Sequence, residues 1–159
     1  MRRSEKEITD FGEIIEIISR CDVCRLAFPN GEYPYIVPVN FGFLLEDGCL
    51  QLIFHSAHAG KKIELLKTNN RVAFEMDCAC KVILGEQACE STMQYQSVCG
   101  YGLVSVVPVA EKPAALAVIM DHYAPGQVYG FAPAAIENTA LLKLTVIGMT
   151  AKQSPGERT

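Results

Sequence analysis

Residues 35–55 read Tyr35-Ile36-Val37-Pro38-Val39-Asn40-Phe41-Gly42-Phe43-Leu44-Leu45-Glu46-Asp47-Gly48-Cys49-Leu50-Gln51-Leu52-Ile53-Phe54-His55. Tyr35 to Leu45 is rich in β-branched and aromatic residues, which predicts a strand. Pro38 has no N–H to give to a ladder, so within a strand it is tolerable only at an edge or a bulge. Glu46-Asp47-Gly48 supplies a tight turn, and Leu50 to His55 is expected to pair back.

Upstream, Asp10 and Glu13 have capping-box spacing, and Ile14, Ile15, Ile17 and Ile18 recur as on one helix face, predicting a helix that ends near Arg20. Val23, Arg25 and Ala27 then alternate with Cys24, Leu26 and Phe28 up to the turn Pro29-Asn30-Gly31. Downstream, Ile63, Leu65 and Leu66 suit a short helix closing at Asn69-Asn70, and Val72, Phe74 and Met76 alternate as a strand. Cys78 to Glu90 is expected to be an excursion. Tyr95 to Val107 is a long strand whose Gly100 and Gly102 predict a bend or bulge. Glu111 to Tyr123 is Ala-rich and helical, with Leu116, Ile119, Met120 and Tyr123 on one face, and Ala124 to Asn138 is a loop. Leu142, Leu144, Val146 and Ile147 make the last strand, followed by a frayed tail from Lys152. Six strands joined largely by hairpins, with helices outside the pattern, predict a mainly β fold closed as an antiparallel barrel.

The 159 residues, half of them hydrophobic, suffice for one domain spanning residues 1–159, with flexible ends expected over 1–7 and 153–159. A net charge of −4 argues against nucleic acid or an anionic membrane as the main partner. Tyr33, Tyr35, Phe41 and Phe43 lack the interleaved basic residues of a base-stacking platform and read as core or interface residues. The amino terminus mixes both charge signs without an apolar run, which predicts neither a signal peptide nor an anchor, and hence a cytoplasmic protein. Seven cysteines, an odd count, read as reduced thiols. Cys21-x-x-Cys24 follows a helix instead of starting one, which disfavours a reactive pair. A zinc site joining Cys21 and Cys24 to Cys78 and Cys80 needs the short Cys78-Ala79-Cys80 spacing, and buried thiols are the commoner outcome.

The chemistry concentrates in Phe54-His55-Ser56-Ala57-His58-Ala59-Gly60-Lys61-Lys62-Ile63. A hydroxyl, a glycine and two adjacent lysines stand where a strand gives way to a helix, whose first N–H groups favour an anion. The pattern is a candidate phosphate cradle, and the same lysines also fit ordinary solvated helix charges. His58 and His122 read as satisfied or exposed polar residues.

Taken with Cys21 to Ala27, Tyr33 to Gly42 and Tyr95-Gln96-Ser97-Val98 with Gly100-Tyr101-Gly102, this stretch resembles the nitroimidazole-resistance branch of the pyridoxamine 5'-phosphate oxidase-related FMN-binding split barrels. The resemblance runs from Ile8 to Lys152. It implies a six-stranded antiparallel split β-barrel, and a homodimer with flavin in clefts between subunits. Ser56, Lys61 and Lys62 would hold the flavin phosphate, with Gly60 permitting close approach. The backbone of Val37, Pro38 and Val39 and the amide of Asn40 would run along the ring and ribityl chain, and Gln96 and Ser97 would complete the pocket. His55 would lie near the ring, either as a catalytic proton donor or acceptor or as a hydrogen-bonded pocket wall.

The implied activity is a flavin-dependent oxidoreductase, nitroreductase-like, reducing a nitroaromatic, quinone-like or other electrophilic acceptor. FMN is the expected cofactor, with FAD as its alternative. No dinucleotide fingerprint is present, so NAD(P)H would bind transiently as electron donor. A non-catalytic flavin-binding or sensing module, and a haem-binding barrel, are the rival readings. The oxidases' arginine-lysine phosphate pair is two lysines here, and their substrate-phosphate signature near the carboxyl end is not evident, which disfavours vitamin B6 oxidation.

Overall fold

The computed structural model describes residues 4–154. Its strands are β1 (Glu7–Ile8), β2 (Cys24–Phe28), β3 (Tyr35–Val39), β4 (Phe41–Glu46), β5 (Cys49–Ser56), β6 (Arg71–Ile83), β7 (Thr92–Val106) and β8 (Ala140–Gln153). The helices are α1 (Phe11–Ser19), α2 (Lys61–Thr68), α3 (Lys112–Tyr123) and α4 (Pro133–Asn138).

Asp10 begins α1 as its spacing predicts, its Oδ1 accepting the Glu13 N–H at 2.8 Å, and Ile14, Ile17 and Ile18 are buried against the sheet. All strand pairs are antiparallel, in the order β3-β2-β6-β7-β8-β5-β4, with β1 added beside β8. β3 and β4 terminate this order on opposite sides, yet Asn40 alone separates them in the chain. The sheet must therefore curl until its two edges meet, and because no ladder joins β3 to β4 the barrel is split at that corner. Pro38 sits on the edge strand β3, the position its missing N–H requires.

The inward faces of the strands pack Phe28, Phe41, Phe54, Leu26, Leu52 and Met76 essentially free of solvent, each contributing roughly 1.5–3 kcal/mol. Leu50 to Phe54 are buried without alternation because β5 is covered on both sides: Phe54 faces the barrel core, whereas Ile53 joins Ala115 and Ile119 of α3 in a second cluster. α3 reaches the barrel at Gly42 of β4, where any Cβ would collide with the backbone of Val118 and Ile119. That contact brings the carboxyl end of α3 to the barrel corner.

Among the described residues eight strands replace the expected six. Tyr35 to Leu45 breaks at Asn40 into two strands, and Glu7–Ile8 adds a short one paired with Lys152 and Ala151. The excursion is shorter than Cys78 to Glu90, since β6 runs on to Ile83 through a register shift between Cys78 and Lys81, with Ala79 at φ 54°. The bulge disrupts the alternation there, which hides the strand from a period-two reading. The bulge predicted at the glycines is present between Tyr101 and Gly102. Pro133–Asn138 forms a helical turn inside the expected loop, and the last strand extends to Gln153 because β7 pairs along it up to that residue. Of the ends expected to be flexible, Ser4–Lys6 is a 3-10 turn, Glu7 pairs with Lys152 and Gln153 pairs with Gln96. Residues 1–3 and 155–159 lie outside the described residues.

Candidate functional site

Where β3 ends, β5 ends and α2 begins, Pro38, Val39, Asn40, His55 and Lys62 line a cavity of about 270 Å³ together with Val23. Three separate segments of sequence thus converge because β3 and β4 border the split of the barrel and β5 pairs with β4, Phe41 opposite Phe54. Two other hollows of about 360 Å³ lie between α3 and Gln127 to Phe131, and across Cys99 to Tyr101 and Gly148 to Thr150, and among the described residues neither is lined by a cationic side chain.

Gly60 is the N-cap of α2, at φ 120° and ψ 171°, a conformation that only glycine adopts without strain. No side chain caps the helix, and a Cβ at Gly60 would meet nothing within 4 Å. The Gly60 carbonyl accepts from Ile63 and Glu64 at 3.0 and 3.1 Å, so the N–H groups of Lys61 and Lys62 are left without intrahelical partners. Lys62 is half-buried, and that burial pulls its ammonium below the ordinary lysine range. A half-buried ammonium beside unpaired N–H groups is a donor set suited to a phosphate. Lys61, by contrast, is exposed.

The other sequence-predicted residues divide. Asn40 lines the cavity, and its Nδ2 donates to the Tyr123 hydroxyl at 3.2 Å. His55 is exposed on β5, opposite Leu141. Ser56 is buried, and its hydroxyl donates to the Ala57 carbonyl at 2.9 Å. Val37 packs against the main core. Gln96 and Ser97 are not brought to the cavity: the Gln96 amide accepts from Arg20 Nη2 at 2.9 Å and donates to Gln153 at 3.1 Å. Ser97 Oγ is buried and has no partner among the described residues.

The helix end carrying His122 and Tyr123 supports this corner, although in sequence Tyr123 marks only one face of a helix. His122 Nε2 lies 2.8 Å from the Cys21 carbonyl, and its ring packs on Phe41 at 4.4 Å between centroids. His58 Nε2 lies 2.8 Å from the Glu137 carbonyl of α4. Cys21 and Cys24 are buried, and burial pushes both thiols up. Among the described residues no group of three or more His, Cys, Asp or Glu side chains is gathered for a metal, and no helix is long and apolar enough to cross a membrane.

Comparison with known proteins agrees with this architecture. The family model described as pyridoxamine 5'-phosphate oxidase matches residues 10–153. A candidate 5-nitroimidazole antibiotic resistance protein from Bacteroides thetaiotaomicron is 33% identical, covering 92% of this chain and 86% of its own, with a TM-score of 0.79. The FAD and haem binding protein from Mycobacterium smegmatis shares the fold at 19% identity and TM-score 0.81, over 95% of this chain and 74% of its own. The flavocytochrome Anf3 from Azotobacter vinelandii does so at 18% and 0.80, over 98% and 72%. No curated protein matches the chain. The split barrel, its cationic cavity at the β3–β5 corner and a family match spanning nearly every described element lead to one assignment: the chain belongs to the pyridoxamine 5'-phosphate oxidase family.

Proposed function

We propose that the protein is a flavin-dependent oxidoreductase that reduces a small electrophilic or nitroaromatic acceptor, acting as a homodimer with the flavin between subunits. The observation that carries this reading is the cavity in which Asn40, His55 and Lys62 meet the uncapped start of α2. Lys62, assisted by Lys61 and the unpaired N–H groups of the helix, would hold the phosphate of FMN. Pro38, Val39 and Asn40 would flank the remainder of the ligand. Held there, a flavin would supply the redox chemistry that links a nicotinamide donor to the acceptor. The exposed imidazole of His55 would donate or receive the accompanying proton at a ring nitrogen.

A second copy of the chain is favoured by apolar side chains left on the outside of the sheet. Tyr101 and Ile147 are both more than half exposed, at 58% and 59%.

The test is the purified protein itself. It is expected to elute as a dimer carrying a yellow cofactor whose extracted mass is that of FMN. Anaerobic NADH or NADPH should bleach it, and a nitroimidazole should restore the colour. Extraction of FAD would correct the cofactor. A bound flavin that neither donor reduces would mark a binding module, and an iron-porphyrin band without flavin would mark a haem protein.

A further inference from the structure

The hydroxyl of Tyr123 makes three hydrogen bonds. It donates to the Asp22 carbonyl at 2.7 Å, and it accepts from the backbone N–H of Phe41 at 3.1 Å and from Asn40 Nδ2 at 3.2 Å. A phenol has one proton and two lone pairs, so this hydroxyl is saturated. Its only proton is committed to Asp22, and it can receive the Asn40 side chain solely through the NH₂ group. The Asn40 amide is thereby fixed in one of its two orientations, with Oδ1 left as the polar atom for anything entering the cavity that Asn40 lines. The same hydroxyl ties the corner where β3 passes into β4, and the Tyr123 ring stands edge-on to His122 at 4.7 Å, so the anchor is itself braced.

We propose that Tyr123 is a positioning residue that presents Asn40 Oδ1 as a hydrogen-bond acceptor to a ligand N–H or O–H donor in the cavity. The proposal rests on the flavin reading for the identity of that ligand. Both FMN and riboflavin carry such donors on the ring and ribityl chain, so the effect should not depend on the phosphate.

The experiment is a double-mutant cycle of Tyr123→Phe and Asn40→Ala, read by flavin titration. Tyr123→Phe keeps the ring against His122, and a thermal melt establishes that it folds. It is expected to weaken FMN and riboflavin alike by roughly two- to ten-fold, the loss for one oriented neutral hydrogen bond. In the Asn40→Ala background it should weaken them no further. Unchanged affinity in Tyr123→Phe, or equal losses in both backgrounds, would overturn the proposal. Should the wild type bind neither flavin, the flavin reading fails, and the Asn40 side-chain NH₂ resonance of the unliganded protein still decides. A resonance pair with slowed solvent exchange that quickens in Tyr123→Phe supports the positioning role, and an unaltered pair rejects it.

Discussion

Replacing Lys62 with Ala removes the one lysine that lines the cavity among the described residues, while leaving a good helix former in α2, a helix that buries none of its residues. The fold is therefore expected to survive. Lys62 is half-buried, so a phosphate bond to its ammonium forms with little competing water. A charge-assisted hydrogen bond of that kind is worth about 1.5–3 kcal/mol, which predicts FMN affinity falling roughly ten- to hundred-fold. Lys61 is exposed, and an exposed ion pair contributes only about 0.2–1 kcal/mol, so Lys61→Ala should cost less than about five-fold. Riboflavin has the same ring without phosphate and should keep its affinity in both variants. Fluorescence titration of apoprotein with each ligand, at one ionic strength, measures all six constants. Equal weakening of FMN and riboflavin would mean that Lys62 supports the site only generally. Undiminished FMN binding in Lys62→Ala would place the phosphate elsewhere and refute the assignment.

Further outcomes follow from the same geometry. Because burial lowers the Lys62 pKa and a bound phosphate would raise it, FMN binding must take up a proton between those two values; FMN affinity should fall as pH rises through the alkaline range while riboflavin affinity stays level. His55→Ala should shift the spectrum or slow the redox cycle of the bound flavin more than His58→Ala. The latter instead breaks the contact to Glu137 and should lower stability by about 1 kcal/mol, read from a denaturant midpoint. Thiol reagents at mild alkaline pH should label exposed Cys49 and Cys89 and leave buried Cys21 and Cys24 untouched until unfolding. Cys80 is exposed but donates to Asp77 at 3.1 Å, which raises its thiol pKa, so it should label more slowly than Cys89, and Asp77→Asn should close that gap.

The elements with local signals were readable. Asp10 spaced three from Glu13, followed by isoleucines at helical spacing, announces α1, and the alternation from Cys24 to Phe28 announces β2 with its buried and exposed faces. The break at Asn40 has only a weak local signal, a single asparagine, a residue depleted in strands, between the strand formers Val39 and Phe41. It is imposed by closure of the barrel, which requires the chain to leave one edge of the sheet and enter at the other. The length of β8 is equally non-local: β7 flanks it from Leu142 to Gln153, while β5 and then β1 take the other side, and no residue within Ile147 to Gln153 records that support.

The site divides along the same line. Gly60-Lys61-Lys62 is readable as a phosphate cradle because strand end, glycine and helix start are adjacent in sequence, but spacing treats the two lysines as equals. Only packing separates them: consecutive residues on a helix point about 100° apart, so when one lines the cavity the other turns to solvent. Tyr123 lies further out of reach, 83 positions from the Asn40 side chain it holds. Its pairing depends on α3 docking at Gly42, the barrel turning at Asn40 and the link from α1 to β2 passing through Asp22. Such a residue has no motif of its own, and its hydroxyl acquires a role only when the corner exists. The cavity's charge is thus written locally at the start of α2, whereas the orientation of its neutral acceptor is a product of the whole fold. Substitutions at these two places should accordingly separate, Lys62 acting on the phosphate alone and Tyr123 on every flavin that reaches Asn40.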